Sequence, residues 1–256
     1  MKAYKYFVIT RFKGNIMTEE ARAKVVATRT VPFNPVRPIY FMHTPDITPD
    51  EKHLALETLD EILDIAGIRG EIPVNDLGVW RQPNYRRHDG QLAPHMSVDW
   101  YVDRWLDQQR RQVNASEGAA QLLFDPWNEE EPHYDVILTA QDLYTPETNF
   151  VVGVAHRRRG TITSVKMFRY MKDKGMEREA KKQELFHEVG HVFGLPDEKR
   201  GFDLEYSLGA HCTNSCALRQ GLSVPRDWIG FANDRLATGQ VYCEPCTEIL
   251  RAYFGK

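Results

Sequence analysis

The chain has 256 residues, enough for one large domain or two small ones, with 42% hydrophobic and 27% charged residues. A net charge of −3, with no basic block and no acidic tail, argues against a nucleic-acid partner. No stretch approaches the ~20 apolar residues of a membrane span, and the start has neither the apolar run nor the small-residue site of a signal peptide, so a cytoplasmic protein without membrane contact is expected.

Residues 4–12 alternate as a first strand. Thr18, Glu19, Glu20 and the alanines after them open a short helix within 14–36, which Pro32, Pro35 and Pro38 interrupt. Arg37–His43 reads as a strand. Thr48, Pro49 and Glu51 then occupy the N-cap, N1 and N3 positions of a helix that should run to Ala66 and stop at Gly67, its inner face carried by Leu56, Leu59, Leu63 and Ala66. Residues 72–82 read as strand and loop, and 83–95 as a polar loop holding His88 and His95. Ser97 caps a helix predicted over 98–113, with Val98, Tyr101, Val102, Trp105 and Leu106 inward. Tyr134–Ala140 is a strand, and Asn149–Ala155 and Thr161–Tyr170 form a hairpin around the solvated arginine tip His156–Gly160. His43, His53, His88, His95, His133 and His156 lack ligand spacing, so loop or core roles are expected for them.

The last helix carries the chemistry. His187, Glu188 and His191 have the spacing His-Glu-x-x-His, and residues four apart on a helix share a face. Two imidazoles so placed reach one Zn²⁺, which takes His nitrogens at about 2.0–2.1 Å and keeps an open position in catalytic sites. Glu188 is rotated off the ligand face, where its carboxylate can act as a general base on a water. Leu185, Val189 and Val192 form the apolar stripe, Glu177 and Lys181 fall on the expected solvated side, and Gly194 ends the helix.

A catalytic zinc commonly takes three protein ligands. Asp197, six residues after His191, and His211, directly before Cys212, are both candidates on sequence grounds. All four cysteines lie in the last quarter of the chain, as Cys212-x3-Cys216 and Cys243-x2-Cys246. Without a secretion signal, this clustering favours a structural Cys₄ zinc over disulfides. Arg219 and Arg226 are candidates to offset its net negative charge. A tail of about 45 residues buries little surface by itself, and structural zinc binding of ~10–16 kcal/mol is ample to fix it.

These motifs together resemble the archaemetzincins, a branch of the metzincin zinc peptidases. The resemblance rests on His187-Glu-x-x-His191-x-x-Gly194, His211-Cys212, Cys216 and Cys243-x-x-Cys246, with Asp142–Tyr144 and Asn149–Ala155 similar to the segment before the active-site helix. It covers residues 134–254 closely and the first half loosely. It implies an α+β, metzincin-like zincin fold: a twisted mixed β-sheet with packed helices, the active-site helix among them, and a small Cys₄-zinc subdomain. The implied division is 1–194, with sheet and active-site helix, and 195–256, with the third ligand and the Cys₄ site. The sequence departs from the family pattern at three places. Asp197 and Glu198 stand where the family has His-Cys, which here follows an insertion of about 196–210. The first two cysteines are one residue closer than usual, and Leu218 occupies the Met-turn position. The family's His-Cys adjacency implies His211 as third ligand, with Asp197 as the alternative.

The expected activity is zinc-dependent hydrolysis of peptide bonds in peptide or protein substrates, by a monomer with two zinc ions per chain. The strand at 149–155, as the upper edge of the cleft, would bind substrate by strand addition. A metal-retaining peptide-binding protein with little turnover is the alternative.

Overall fold

The structure, a computed structural model, describes residues 33–81, 97–123, 127–128 and 131–256. The expected strand at 4–12, the short helix before residue 33 and the loop with His88 and His95 lie outside these residues. Residues 35–256 form one compact unit.

Strand β1 (Ile39–His43) leads into helix α1 (Pro49–Ile65). The Thr48 side chain accepts from the Glu51 amide at 3.2 Å while Glu51 Oε2 accepts from the Thr48 amide at 3.0 Å, closing a capping box. The buried face of α1 is wider than the sequence pattern predicts. Leu54, Ala55, Leu59, Ile62 and Leu63 are buried and Leu56 only partly, because the helix meets both the sheet and a second helix. After β2 (Val74–Gly78), Ser97 caps α2 (Val98–Trp105) by accepting from the Trp100 amide. The helix expected to reach residue 113 stops at Trp105. Asp107 Oδ1 accepts from the amides of Gln109 and Arg110, and Arg111 takes a φ of 56°, so the chain turns back as the hairpin β3 (Leu106–Asp107) and β4 (Gln112–Asn114).

Helix α3 (Ala115–Leu123) and strand β5 (Tyr134–Thr139) follow, then β6 (Leu143–Thr145), β7 (Thr148–Val151), β8 (Gly153–His156) and β9 (Gly160–Ser164). The single strand expected at 149–155 is thus two. β7 pairs with β6 in a four-stranded sheet of order β3-β4-β6-β7, whereas β8 joins the main sheet. The strand expected at 161–170 ends at Ser164, whose hydroxyl donates to Gln141 O and accepts from the Lys166 amide. This turns the chain into a 3-10 segment, Lys166–Tyr170.

The main sheet has the order β2-β1-β5-β9-β8, parallel except for β8, which runs antiparallel to β9 at the edge. Its faces alternate as pleating requires. Ile39, Phe41, Val136 and Leu138 pack toward α1 and helix α4 (Lys174–Val192), while Tyr40, Met42, Ile137 and Ile162 meet α2. With both faces covered, β5 is buried along its whole length. Beyond α4 come a 3-10 turn (Glu198–Arg200), the short pair β10 (Leu204–Glu205) and β11 (His211–Cys212), and helices α5 (Arg226–Thr238) and α6 (Glu244–Tyr253). Among the described residues no helix is long and apolar enough to cross a membrane.

The side of α4 expected to be solvated is not. Lys181 and Glu177 are buried, and Lys181 Nζ donates to Glu51 Oε1 at 2.7 Å and to Glu177. Burial alone would raise the Glu51 carboxyl, but hydrogen bonds from Arg169 and Lys181 bring it down to about 2. A charge spacing that fits a solvated face fits a buried ion cluster equally well, and only the packing of α1 on α4 decides between them.

Candidate active site and metal centres

Helix α4 begins with Asp173 accepting from the Met176 amide, and its apolar stripe of Leu185, Val189 and Val192 seats it on the sheet. Gly194, at φ 85°, gives the chain its exit turn. His187 and His191 thereby face a cleft of about 570 Å³ between α4 and the edge strand β8. β11 brings His211 to the same point, and one ligand atom from each of the three imidazoles lies within 4.8 Å of the others. Asp197 is not in this group; its carboxylate caps the 3-10 turn by accepting from the Lys199 amide at 3.1 Å.

Each of the three rings is held in one tautomer. His187 Nδ1–H donates to Ala217 O at 2.9 Å, His191 Nδ1–H to Leu195 O at 2.7 Å and His211 Nδ1–H to Gly209 O at 3.1 Å. A carbonyl can only accept, so every Nε2 keeps its lone pair. His187 Nε2 and His191 Nε2 are 3.2 Å apart, with no proton left to place between them. Two nitrogens on one tetrahedral zinc would stand about 3.3 Å apart, given Zn–N bonds of about 2.05 Å. Burial holds His187 well below the ordinary imidazole range and His191 down at about 3, with neighbouring imidazoles adding to it, and it lowers His211 as well. The rings are therefore neutral at pH 7, the form that binds a cation.

Glu188 is buried against β8 at a place where only glycine fits. A Cβ on Gly153 would fall 2.6 Å from Glu188 Cδ. Burial, then the charge of Glu184 beside it, raises the Glu188 carboxyl well above its usual range. Glu184, four residues earlier on the same helix face, also lines the cleft and is pushed up to about 8 by burial, against a hydrogen bond from Trp228 Nε1. Sequence reasoning missed it, although the spacing of four from Glu188 was legible. Of the arginine tip, Arg157 and Arg158 are exposed as expected. Arg159 donates to Asn128, and Arg157 lines the cleft, its Nε 2.5 Å from where a Gly194 Cβ would stand.

Cys212, Cys216, Cys243 and Cys246 gather in a second buried group, unbonded to one another. Cys212 and Cys243 Sγ are 3.6 Å apart, close to the ~3.8 Å that two thiolates on one zinc would show. The Cys212 thiol is brought down to about 6, chiefly by Cys216, with Arg200 contributing. The cations expected to balance this group are not those named from sequence. Arg219 pairs with Asp234 and Arg226 with Asp227, whereas Arg200 donates to Cys212 Sγ at 3.2 Å and Cys246 Sγ at 3.3 Å. Arg200 lies in the segment 196–210, where no motif marks it. Leu218 is fully buried under α4, with Cδ2 3.1 Å from a Cβ built on Gly190. The carbonyls of Ala217 and Leu218 hold the His187 ring and the Cys212 amide, so one short turn braces both groups.

The fold and its two donor sets define an α+β protein with two candidate metal centres, one facing a cleft and one closed. No family model matches the chain. It is 35% identical over 140 residues to the archaemetzincin of Nanoarchaeum equitans, an alignment covering 53% of this chain and 64% of that one. The matched stretch thus spans less than two thirds of that relative. The archaemetzincin crystal structure from Methanopyrus kandleri superposes with a TM-score of 0.57 at 21% identity, over 88% of this chain and 99% of that one. The Archaeoglobus fulgidus archaemetzincin, complexed with malonate, gives 0.52 at 19% identity, over 83% and 99%. A zinc-dependent peptidase from Methanocorpusculum labreanum gives 0.50 at 19%, over 83% and 99%. The chain is archaemetzincin-like.

Proposed function

We propose that the chain is a zinc-dependent metallopeptidase with two zinc ions, His187, His191 and His211 holding the catalytic one and Cys212, Cys216, Cys243 and Cys246 the structural one. The observation that carries this reading is the set of three neutral imidazoles with every Nδ1–H engaged by a carbonyl and one ligand atom from each within 4.8 Å of the others beside a cleft. The archaemetzincin likeness supports zinc as the ion. The division at 194/195 then separates the part that supplies sheet, base and two ligands from the part that supplies the third ligand and its brace.

Bound zinc would polarise the scissile carbonyl and acidify a water for attack. The chain's own groups do the rest. Among the described residues β8 is the edge strand of its sheet, so an extended substrate can add to it along Gly153–Ala155. Glu188, one residue from a ligand and fixed beneath Gly153, takes a proton from the attacking water and returns it to the leaving amine. With a cation held by the three imidazoles, the Glu188 carboxyl would favour its ionised form against the upward push of burial. The closed thiol group fixes Cys212 and so the neighbouring His211. Four clustered reduced thiols also suit a cytoplasmic setting.

The test pairs two variants on a peptide library digested by zinc-loaded protein. Glu188→Gln should keep zinc and lose ~10²–10⁴ in hydrolysis, the usual contribution of a positioned acid–base group. His187→Ala should lose zinc and hydrolysis together. Peptide binding without cleavage by the wild type would instead establish the binding-protein alternative, and equal cleavage by wild type and Glu188→Gln would remove Glu188 from the reaction.

A further inference from the structure

A second carboxyl stands against the proposed base. Glu184 precedes Glu188 by four residues on α4, so the two side chains share a face one turn apart, and their carboxyls hydrogen-bond to each other. Both are buried, and Trp228 Nε1 on α5 donates to Glu184 Oε2. Among the described residues no N–H or hydroxyl reaches Glu184 Oε1. Lys174, Lys181 and Lys182 of the same helix pair with Glu177, Glu51 and Glu61 instead. An ionised carboxylate only accepts hydrogen bonds, and two in contact in a dry site repel, so the bond between them contains a proton. Burial pushes both groups up and keeps that proton on the pair at pH 7. Which carboxyl carries it depends on what stands nearby. Glu188 lies between His187 and His191 in the chain, whereas Glu184 lies a turn further back, against the indole. With a cation held by the imidazoles, the negative charge falls on Glu188 and the proton on Glu184.

We propose that Glu184 is a positioning residue for the reaction: held by the Trp228 indole, its carboxyl O–H donates to the Glu188 carboxylate and fixes the base against the Gly153 backbone. This rests on the peptidase reading of the cleft. Gly153 meets the Glu188 carboxyl by contact alone, and contact limits where a side chain can go without saying how it turns. A directed hydrogen bond from Glu184 supplies the orientation, and the indole in turn orients Glu184 before substrate arrives. The Glu184 proton does not move in the reaction. The proton of the attacking water goes to Glu188 and from there to the leaving amine, while Glu184 remains a donor throughout.

The experiment separates position from packing. Glu184→Leu should lower kcat/KM on a responsive peptide by ~10²-fold at unchanged zinc content, the cost of letting a reacting group drift by about 1 Å. Glu184→Gln, which keeps an acceptor for the indole and an N–H donor for Glu188, should recover most of that loss. Because leucine also strands the buried indole N–H, the leucine change is repeated in a Trp228→Phe background. There both polar partners are replaced by apolar groups, so Tm should be equal or higher while kcat/KM still falls. A readout without turnover is the infrared C=O band of a protonated carboxyl in the zinc-loaded full chain at pH 7. The wild type should show a band that Glu184→Gln removes and that Glu188→Gln, by changing its partner, shifts or abolishes. Equal kcat/KM in wild type and Glu184→Leu, a loss as large in Glu184→Gln as in Glu184→Leu, or a band indifferent to Glu188→Gln overturns the proposal. A band that answers to both variants in a chain that cleaves no peptide sinks the peptidase reading alone.

Discussion

Gly153→Ala tests the contact that sets the position of Glu188. A methyl group there falls 2.6 Å from Glu188 Cδ and Cγ and 2.7 Å from Oε1, whereas non-bonded carbons rest at about 3.5–4.0 Å, so roughly 1 Å must be found. β8 cannot easily supply it, because Gly153 pairs with Thr163 in the main sheet. Nor can α4, whose Leu185 and Val189 are buried in the core. The carboxylate side chain therefore moves. A displacement of about 1 Å in a reacting group costs ~10²-fold in rate, and crowding of this kind costs about 1–3 kcal/mol in stability. The assay is kcat/KM on a responsive peptide, with zinc content and Tm measured on the same preparations. Zinc content should match the wild type, since no ligand is touched. Gly230→Ala is the control. That exposed glycine of α5 has nothing within 4 Å of a built Cβ, and alanine there should stabilise by about 0.4–1 kcal/mol without changing kcat/KM. If Gly153→Ala kept kcat/KM within about threefold of wild type at full zinc content, the buried position of Glu188 would not be the one the reaction uses.

Three further variants test the packing. The Glu51 carboxyl is lower in the folded chain than in the unfolded one, so its contribution is complete above pH 4.5 and is lost as the pH falls toward about 2; Glu51→Gln should flatten the dependence of Tm on pH across that window. The same variant leaves buried Lys181 short of a partner and should cost about 3 kcal/mol by denaturant unfolding at pH 7. Cys243→Ser should lower metal occupancy at the His site as well as at the thiol site, because Cys212 anchors its neighbour His211; elemental analysis showing loss of only one zinc would refute that coupling. Arg200→Ala removes the donor to Cys212 and Cys246 Sγ and should speed loss of metal from the thiol group to a chelator, and an unchanged rate would show that its charge does not matter there.

The sequence alone determined what short-range chemistry can write. A capping box at Thr48 and Glu51, two imidazoles four residues apart on a helix and two pairs of clustered cysteines each depend on spacing within a few residues, and spacing is what a sequence contains. Even there, one local competitor escaped: Asp107 drew the chain out of a helix that the apolar pattern carried on to residue 113. Tertiary structure decided the rest, because it turns on which surfaces meet. Glu177 and Lys181 have the spacing of a solvated pair, yet α1 lands on them and makes them part of a buried ion cluster. Arg219 and Arg226 were near the cysteines in sequence, but Arg200 was near them in space. His211 and Asp197 were open alternatives along the chain; the fold brings the imidazole to His187 and His191 and turns the carboxylate into a cap. Glu184 stands four residues before Glu188 in the sequence, but only the packing of α5 brings Trp228 Nε1 onto its carboxyl and buries the pair together. A donor set needs atoms from segments far apart in sequence to reach one point, and that convergence is a property of packing, not of spacing.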